Sequence, residues 1–239
     1  MPLAFLAPVA LLSAALSGVL GMGGGIVLLA AMAAVLPVGV VVPVHGVVQL
    51  ASNASRALTL LRHTNRPIVF AYAPAMIVGA WLGLQLYRDG GIPWFRPAIG
   101  ALVLSFLLWD RFRPKRLRFP LAAYVPAGIG GGFLTITIGA AGPYLAAFFL
   151  RDDLDRKEIV ATKAVIQTFG HFLKIPAFLS IGFDYRGELG LILPLLACVI
   201  AGTWLGTRLL HRLPERTFRA LFRIALVILA IRLLASPWL

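Results

Sequence analysis

The sequence predicts an all-α polytopic membrane protein of two inverted-topology repeats, each a broken, re-entrant helical hairpin plus three transmembrane helices. Three observations carry that prediction. The chain is 60% hydrophobic and 13% charged, with a mean hydropathy of +0.91, and it has no long polar segment to cover a water-soluble core. Two apolar stretches with central glycines are too long for one straight span each. A glycine-rich segment followed by a polar stripe also occurs twice, once from Gly21 and again from Gly139.

Apolar runs near the roughly 20 residues that a bilayer-spanning helix needs lie at about 40–61, 67–86, 94–110, 159–181, 189–209 and 217–235. The stretches at about 3–36 and 119–150 differ. Either would form a helix near 50 Å long against a hydrocarbon core of roughly 30 Å, so each bends or breaks, with its glycines as the weak point. A tilted broken span and a hairpin re-entering on one side both satisfy that length.

Basic residues choose between these designs. With single crossings, ten lie inside (Arg56, Arg62, Arg66, Arg111, Arg113, Lys115, Arg116, Arg118, Arg186 and Arg232) and nine outside, a near balance. With two hairpins, Arg151, Arg156, Lys157, Arg208, Arg212, Arg216 and Arg219 move inside while Arg186 and Arg232 move out to join Arg88 and Arg96, fifteen against four. Three crossings per repeat then invert the halves about an axis in the membrane plane. The expected organisation is a first repeat over 1–110, a basic cytoplasmic linker over 111–118 and a second repeat over 119–239. Gly79-Ala-Trp-Leu-Gly83 matches Gly202-Thr-Trp-Leu-Gly206, and Phe95-Arg96 matches Phe218-Arg219, now offset by 123 rather than 118. Small-residue pairs also mark ordinary helix packing, but packing alone does not order the whole series.

The breaks carry chemistry. A half-helix that starts within the membrane presents unpaired N–H groups and the positive end of its dipole, which suits an anion. Irregular backbone is tolerated there only when buried in protein or lining a wet cavity, so two breaks point to one central cavity. Gly21, Gly23, Gly24 and Gly25 in the first half, with Gly139 and Gly142 in the second, let an oxyanion approach the amides, and Pro143 suits a first helical turn. Tight bends made for packing are the alternative.

After each break a helix bears four polar residues on one face. They are His45, Gln49, Asn53 and Arg56, then Lys163, Gln167, His171 and Lys174, at spacings of i, i+4, i+8 and i+11. Gln49 and Gln167 fall near the middle of their spans, with positive or protonatable groups towards both mouths. All eight are candidate substrate-binding residues, since polar groups are costly in lipid. Snorkelling of Arg56, Lys163 and Lys174, and interhelical bonding of the histidines and glutamines, are the other readings.

Together these residues resemble the TauE/SafE family of sulfite exporters, also called the toluene sulfonate uptake permease family. The resemblance spans nearly the whole chain, through Gly18-Val-Leu-Gly-Met-Gly-Gly-Gly25, Gly139-Ala-Ala-Gly-Pro143 and the GAWLG/GTWLG pair. It implies a multi-pass carrier of the bacterial inner membrane for sulfur-containing or organic anions such as sulfite or sulfonates. The second glycine segment has two glycines and a proline where Gly21 to Gly25 has four glycines.

No acidic residue lies in the middle of a span, which disfavours a cation path and fits an anion. If protons are a second partner, His45 and His171 are the groups that ordinarily titrate near neutral pH. The chain lacks G-x-x-x-x-G-K-[ST], and a dinucleotide fingerprint from Gly21 would need glycine at Ile26, so no cofactor or metal is expected. Its net charge of +13 gathers at span ends, which fits orientation and anionic lipid rather than nucleic acid. Cys198 is expected to be a packed thiol, and the N-terminal stretch, lacking a basic n-region, a retained hairpin arm. Neither catalytic triads nor HExxH occur within the spans, which argues against an enzyme. An alternating-access carrier is the leading reading and an anion channel the alternative. Substrate identity, direction and oligomeric state are left open.

Overall fold

The computed structural model describes residues 2–20, 23–88, 94–112, 119–149, 153–209, 224 and 227–235, and among them every regular element is helical. The chain runs through α1 (Pro2–Leu20), α2 (Gly24–Val35), α3 (Val38–Leu60), α4 (Arg66–Arg88) and α5 (Phe95–Phe112). It continues through α6 (Tyr124–Thr137), α7 (Gly142–Ala147), α8 (Arg156–Ser180), α9 (Leu189–Leu209) and α10 (227–235). Five expected spans coincide with α3, α4, α5, α8 and α9; the sixth is described only in its later part. Gly21, linker residues 113–118, Arg151, Arg212, Arg216, Arg219 and Arg223 lie outside the described residues.

Val38–His63 and Arg66–Tyr87 are long and apolar enough to cross a membrane, whereas Pro2–Ala15, Gly24–Val35, Phe95–Ser105, Leu121–Thr137 and Leu189–Leu205 are shorter apolar helices. α8 is longer but carries Lys157, Lys163 and Lys174. Its start is set by a capping box, in which the Glu158 amide donates to Asp155 Oδ1 at 2.7 Å and the Asp155 amide to Glu158 Oε2 at 3.0 Å.

Both long apolar stretches break where the glycines predict. Gly23 caps α2 with φ 96°, and Gly139 follows α6 with φ 95°, backbone that a residue with a Cβ rarely adopts. The chain then folds back. A Cβ on Gly24 would overlap the Ser13 carbonyl of α1, so α2 lies against the helix it follows. In the second half the Tyr124 hydroxyl, at the start of α6, donates to the Phe148 carbonyl just beyond α7 at 2.8 Å. The two ends of that stretch are therefore side by side.

Each folded-back pair packs on a helix distant in sequence: α1 against α9, and α6 against α4. Glycine sets both contacts. A Cβ on Gly202 would meet the Leu11 carbonyl, and one on Gly79 the Ile129 carbonyl. Between these glycines and the next, Trp81 and Trp204 point away from the protein, 59% and 53% exposed, amid other exposed apolar side chains such as Phe70, Ile77, Leu193 and Ile200. Such an exterior suits lipid. α3 and α8 run antiparallel through the middle, with Asn65, just beyond α3, bonded to Thr162 near the start of α8 at 2.9 Å. α5 meets α10, where Gly100 faces Ala230 and Leu234. Arg96 at the head of α5 donates from Nε to the Ala33 carbonyl at 3.1 Å and from Nη2 to the Leu36 carbonyl at 3.4 Å, answering the free C-terminal end of α2.

Gly79→Ala and Gly202→Ala should each lower the stability of the detergent-solubilised protein by about 1–3 kcal/mol, since a backbone carbonyl occupies the added methyl's place. Gly190→Ala, with nothing near its Cβ position, should match or exceed the parent in thermal unfolding. Equal midpoints for all three variants would refute the close approach.

Candidate functional site

The two breaks and the two polar stripes converge on one buried cavity. Its volume, counted at the centres of water-sized spheres, is about 50 Å³, several times the roughly 10–15 Å³ that one water needs. The first half contributes Gly23, Gly25, His45, Gln49, Asn53 and Arg56, and the second contributes Gly142, Pro143, Lys163, Gln167 and His171.

The central glutamines have matching places. A Cβ on Gly25 would lie 3.1 Å from Gln49 Oε1, and one on Gly142 would lie 3.3 Å from Gln167 Nε2. Each amide thus rests over a glycine of its own half's break. Along α3 the stripe is tied together: Asn53 Nδ2 donates to the Gln49 carbonyl at 2.8 Å and to Gln49 Oε1 at 3.3 Å. Arg56 Nη2 donates to Asn53 Oδ1 at 3.3 Å, and Nη1 reaches across to the Ser17 carbonyl of α1 at 3.2 Å. The guanidinium is thereby held at the cavity wall.

The histidines meet where α3 crosses α8. Their rings stand edge to face with centroids 5.6 Å apart, and His45 Nε2 donates to the Gly25 carbonyl at 2.9 Å. Both rings are buried, and neither Nδ1 has a hydrogen-bond partner among the described residues. Lys163 is buried and also lines the cavity.

Three expected site residues do not line it. Gly24 is buried against Ser13 and Ser17 of α1, where its missing side chain allows the helices to touch. Gly139 turns its carbonyl to Lys174, whose Nζ donates to it at 2.6 Å. Lys174 is fully buried, neither at a mouth nor in the lining, so it ties α8 to the second break and does not snorkel. Gly21 lies outside the described residues. Conversely, Ser17, Tyr72, Met76, Thr135 and Ile166 line the cavity without having been singled out. Ser17 and Thr135 stand 118 positions apart, a signal the repeat already contained. Tyr72 sits in an apolar run with no pattern to mark it.

Pro143 occupies the first turn of α7, as expected, but α7 is only six residues long against twelve for α2. The two half-helices are therefore unequal, with the larger dipole in α2. The lining offers amides, a guanidinium, an ammonium, imidazole and hydroxyls, and no carboxylate. Such a set attracts negative charge and leaves it several donors.

An apolar helical exterior around a buried, donor-rich cavity defines a membrane protein of the transport class. The family model described as Sulfite exporter TauE/SafE matches residues 6–233, and the chain belongs to that family. Comparison with curated proteins and with solved structures gave no match.

Lys174→Met keeps the aliphatic stem but leaves the Gly139 carbonyl without its donor. A loss of about 1–3 kcal/mol of stability is expected in chemical or thermal unfolding. Full stability together with unchanged hydrogen exchange around 138–141 would show that the bond does not hold the break.

Proposed function

We propose that the protein is a secondary transporter of small sulfur-containing or organic anions, sulfite or a sulfonate among them, embedded as a multi-pass protein in the bacterial inner membrane. Its substrate binds at the cavity between the breaks, and two inverted repeats rock about it to alternate access. The observation that carries this reading is the convergence of both breaks and both stripes on one carboxylate-free cavity.

The two-repeat organisation is supported by exchanged contacts. α1 rests on α9 as α6 rests on α4, through glycines that stand 123 apart and carbonyls that stand 118 apart. Antiparallel α3 and α8 fit halves of opposite orientation. In this reading 1–110 and 119–239 are the moving units, joined by the basic linker 111–118. Arg56 and Lys163 supply the charge that draws an anion in, Gln49 and Gln167 donate to its oxygens, and Asn53 holds Gln49 and Arg56 in place. Lys174 and Gly24 hold the frame. His45 and His171, facing one another, are the groups through which a proton would be coupled to the anion.

Liposomes containing the purified protein should take up sulfite or a sulfonate saturably and show counterflow. Gln49→Ala and Gln167→Ala should each reduce uptake about ten-fold or more, the effect of removing a hydrogen bond to a charged group. If no member of a panel of sulfite, thiosulfate, sulfonates, carboxylates and chloride moves, or if both variants transport normally, the proposed site is wrong. A conductance that does not saturate would identify a channel instead. Cysteines placed near Arg151 and Arg212 should react only from the cytoplasm; labelling from the periplasm would overturn the two-hairpin topology.

A further inference from the structure

Tyr72 of α4 belongs to neither stripe, yet it lines the cavity and is completely buried. Its hydroxyl has no hydrogen-bond partner among the described residues. Buried hydroxyls are nearly always bonded, so one without a partner, on a residue that lines a donor-rich cavity, is available to a ligand. We propose that the Tyr72 hydroxyl donates a hydrogen bond to the transported oxyanion and helps to set which anion the cavity selects. This rests on the anion-carrier reading above and adds to it a donor from outside the repeated motif.

Room for that hydroxyl is built into the neighbouring helix. A Cβ on Gly131 of α6 would overlap it, so at this position only glycine leaves the phenol where it is. The other half lacks the arrangement. The residue 118 positions before Gly131 is Ser13, and the one 123 positions after Tyr72 is Leu195, an aliphatic core side chain. One half therefore has tyrosine and glycine at positions where the other has leucine and serine. Around the ring, Ile68, Met76, Leu145 and Ile166 form an apolar cluster, and a hydrogen bond made beside such a wall is electrostatically stronger than one in water.

A neutral phenol adds no charge. It rewards an acceptor whose lone pair lies along the O–H direction, which an oxyanion presents at fixed angles and a spherical halide does not. Its contribution should therefore appear as discrimination among anions more than as general attraction, which Arg56 and Lys163 provide.

The test is Tyr72→Phe in reconstituted liposomes, with sulfite as the probe and chloride as competitor. The KM for sulfite should rise about ten-fold or more with the maximal rate within about two-fold, and the preference for sulfite over chloride should fall. The upward shift of the unfolding temperature by sulfite should shrink in parallel. Without sulfite the variant should unfold at or above the parent temperature, since it loses a buried polar atom that has no partner. An unchanged KM and preference, with sulfite transport by the parent intact, would overturn the role of Tyr72 alone. So would a lowered unfolding temperature with equal loss of flux for every anion, which marks a structural hydroxyl. If the parent protein moves no anion, the carrier reading fails and this inference with it.

Discussion

A backbone that leaves the helix inside a membrane exposes carbonyl and amide groups that lipid cannot satisfy. The architecture is organised around answering them. His45 donates to Gly25, Lys174 to Gly139, Arg56 to Ser17, and Arg96 to Ala33 and Leu36. In each case a side chain with strong donors crosses from a neighbouring helix to a carbonyl in or beside a broken stretch. The carbonyl side of the breaks is thus tied into the protein. The start of α2, whose first amides have no acceptor within the helix, lies in the cavity lining through Gly23 and Gly25. Polarity around the cavity follows from that sorting.

This explains why the polar stripes could be seen in the sequence while their division of labour could not. Spacing places His45, Gln49, Asn53 and Arg56 on one face whatever they touch. Whether a given donor faces the cavity or a carbonyl is decided by how α3 and α8 lie against the breaks. Lys174 shows the difference: it matches Arg56 in the repeat, yet it is withdrawn to Gly139 while Arg56 remains in the wall. The breaks themselves were legible, because length forbids a straight helix and glycine marks where it yields. Their detail was not. The left-handed residues, Gly23 and Gly139, stand 116 apart rather than 118, and α7 stops after six residues.

Tyr72 was hidden for another reason. An aromatic in an apolar run carries no periodic signature, and its exposure to a cavity depends on the helix opposite. Gly131 gives Tyr72 its place, but a glycine in α6 is one of several there, and its meaning appears only when α4 is packed against it. Sequence similarity between halves also hides their differences. The matched glycines preserve the way the helices meet, while the side chains beside them have diverged, so that one frame surrounds a lopsided set of donors.

The contact between Gly202 and Leu11 joins residues about 190 positions apart. Seen as an event during synthesis, it means that α1 is made about 190 residues before the part of α9 that covers it. The second folded-back pair has no such delay, because α4 precedes α6. The earlier pair is thus the later to be completed, and a chain halted before α9 would hold an uncovered helix in the bilayer. Its apolar surface tolerates lipid, and the face that α9 would cover is free to accept a wrong partner. In this molecule the cover of α1 depends on the ribosome reaching α9.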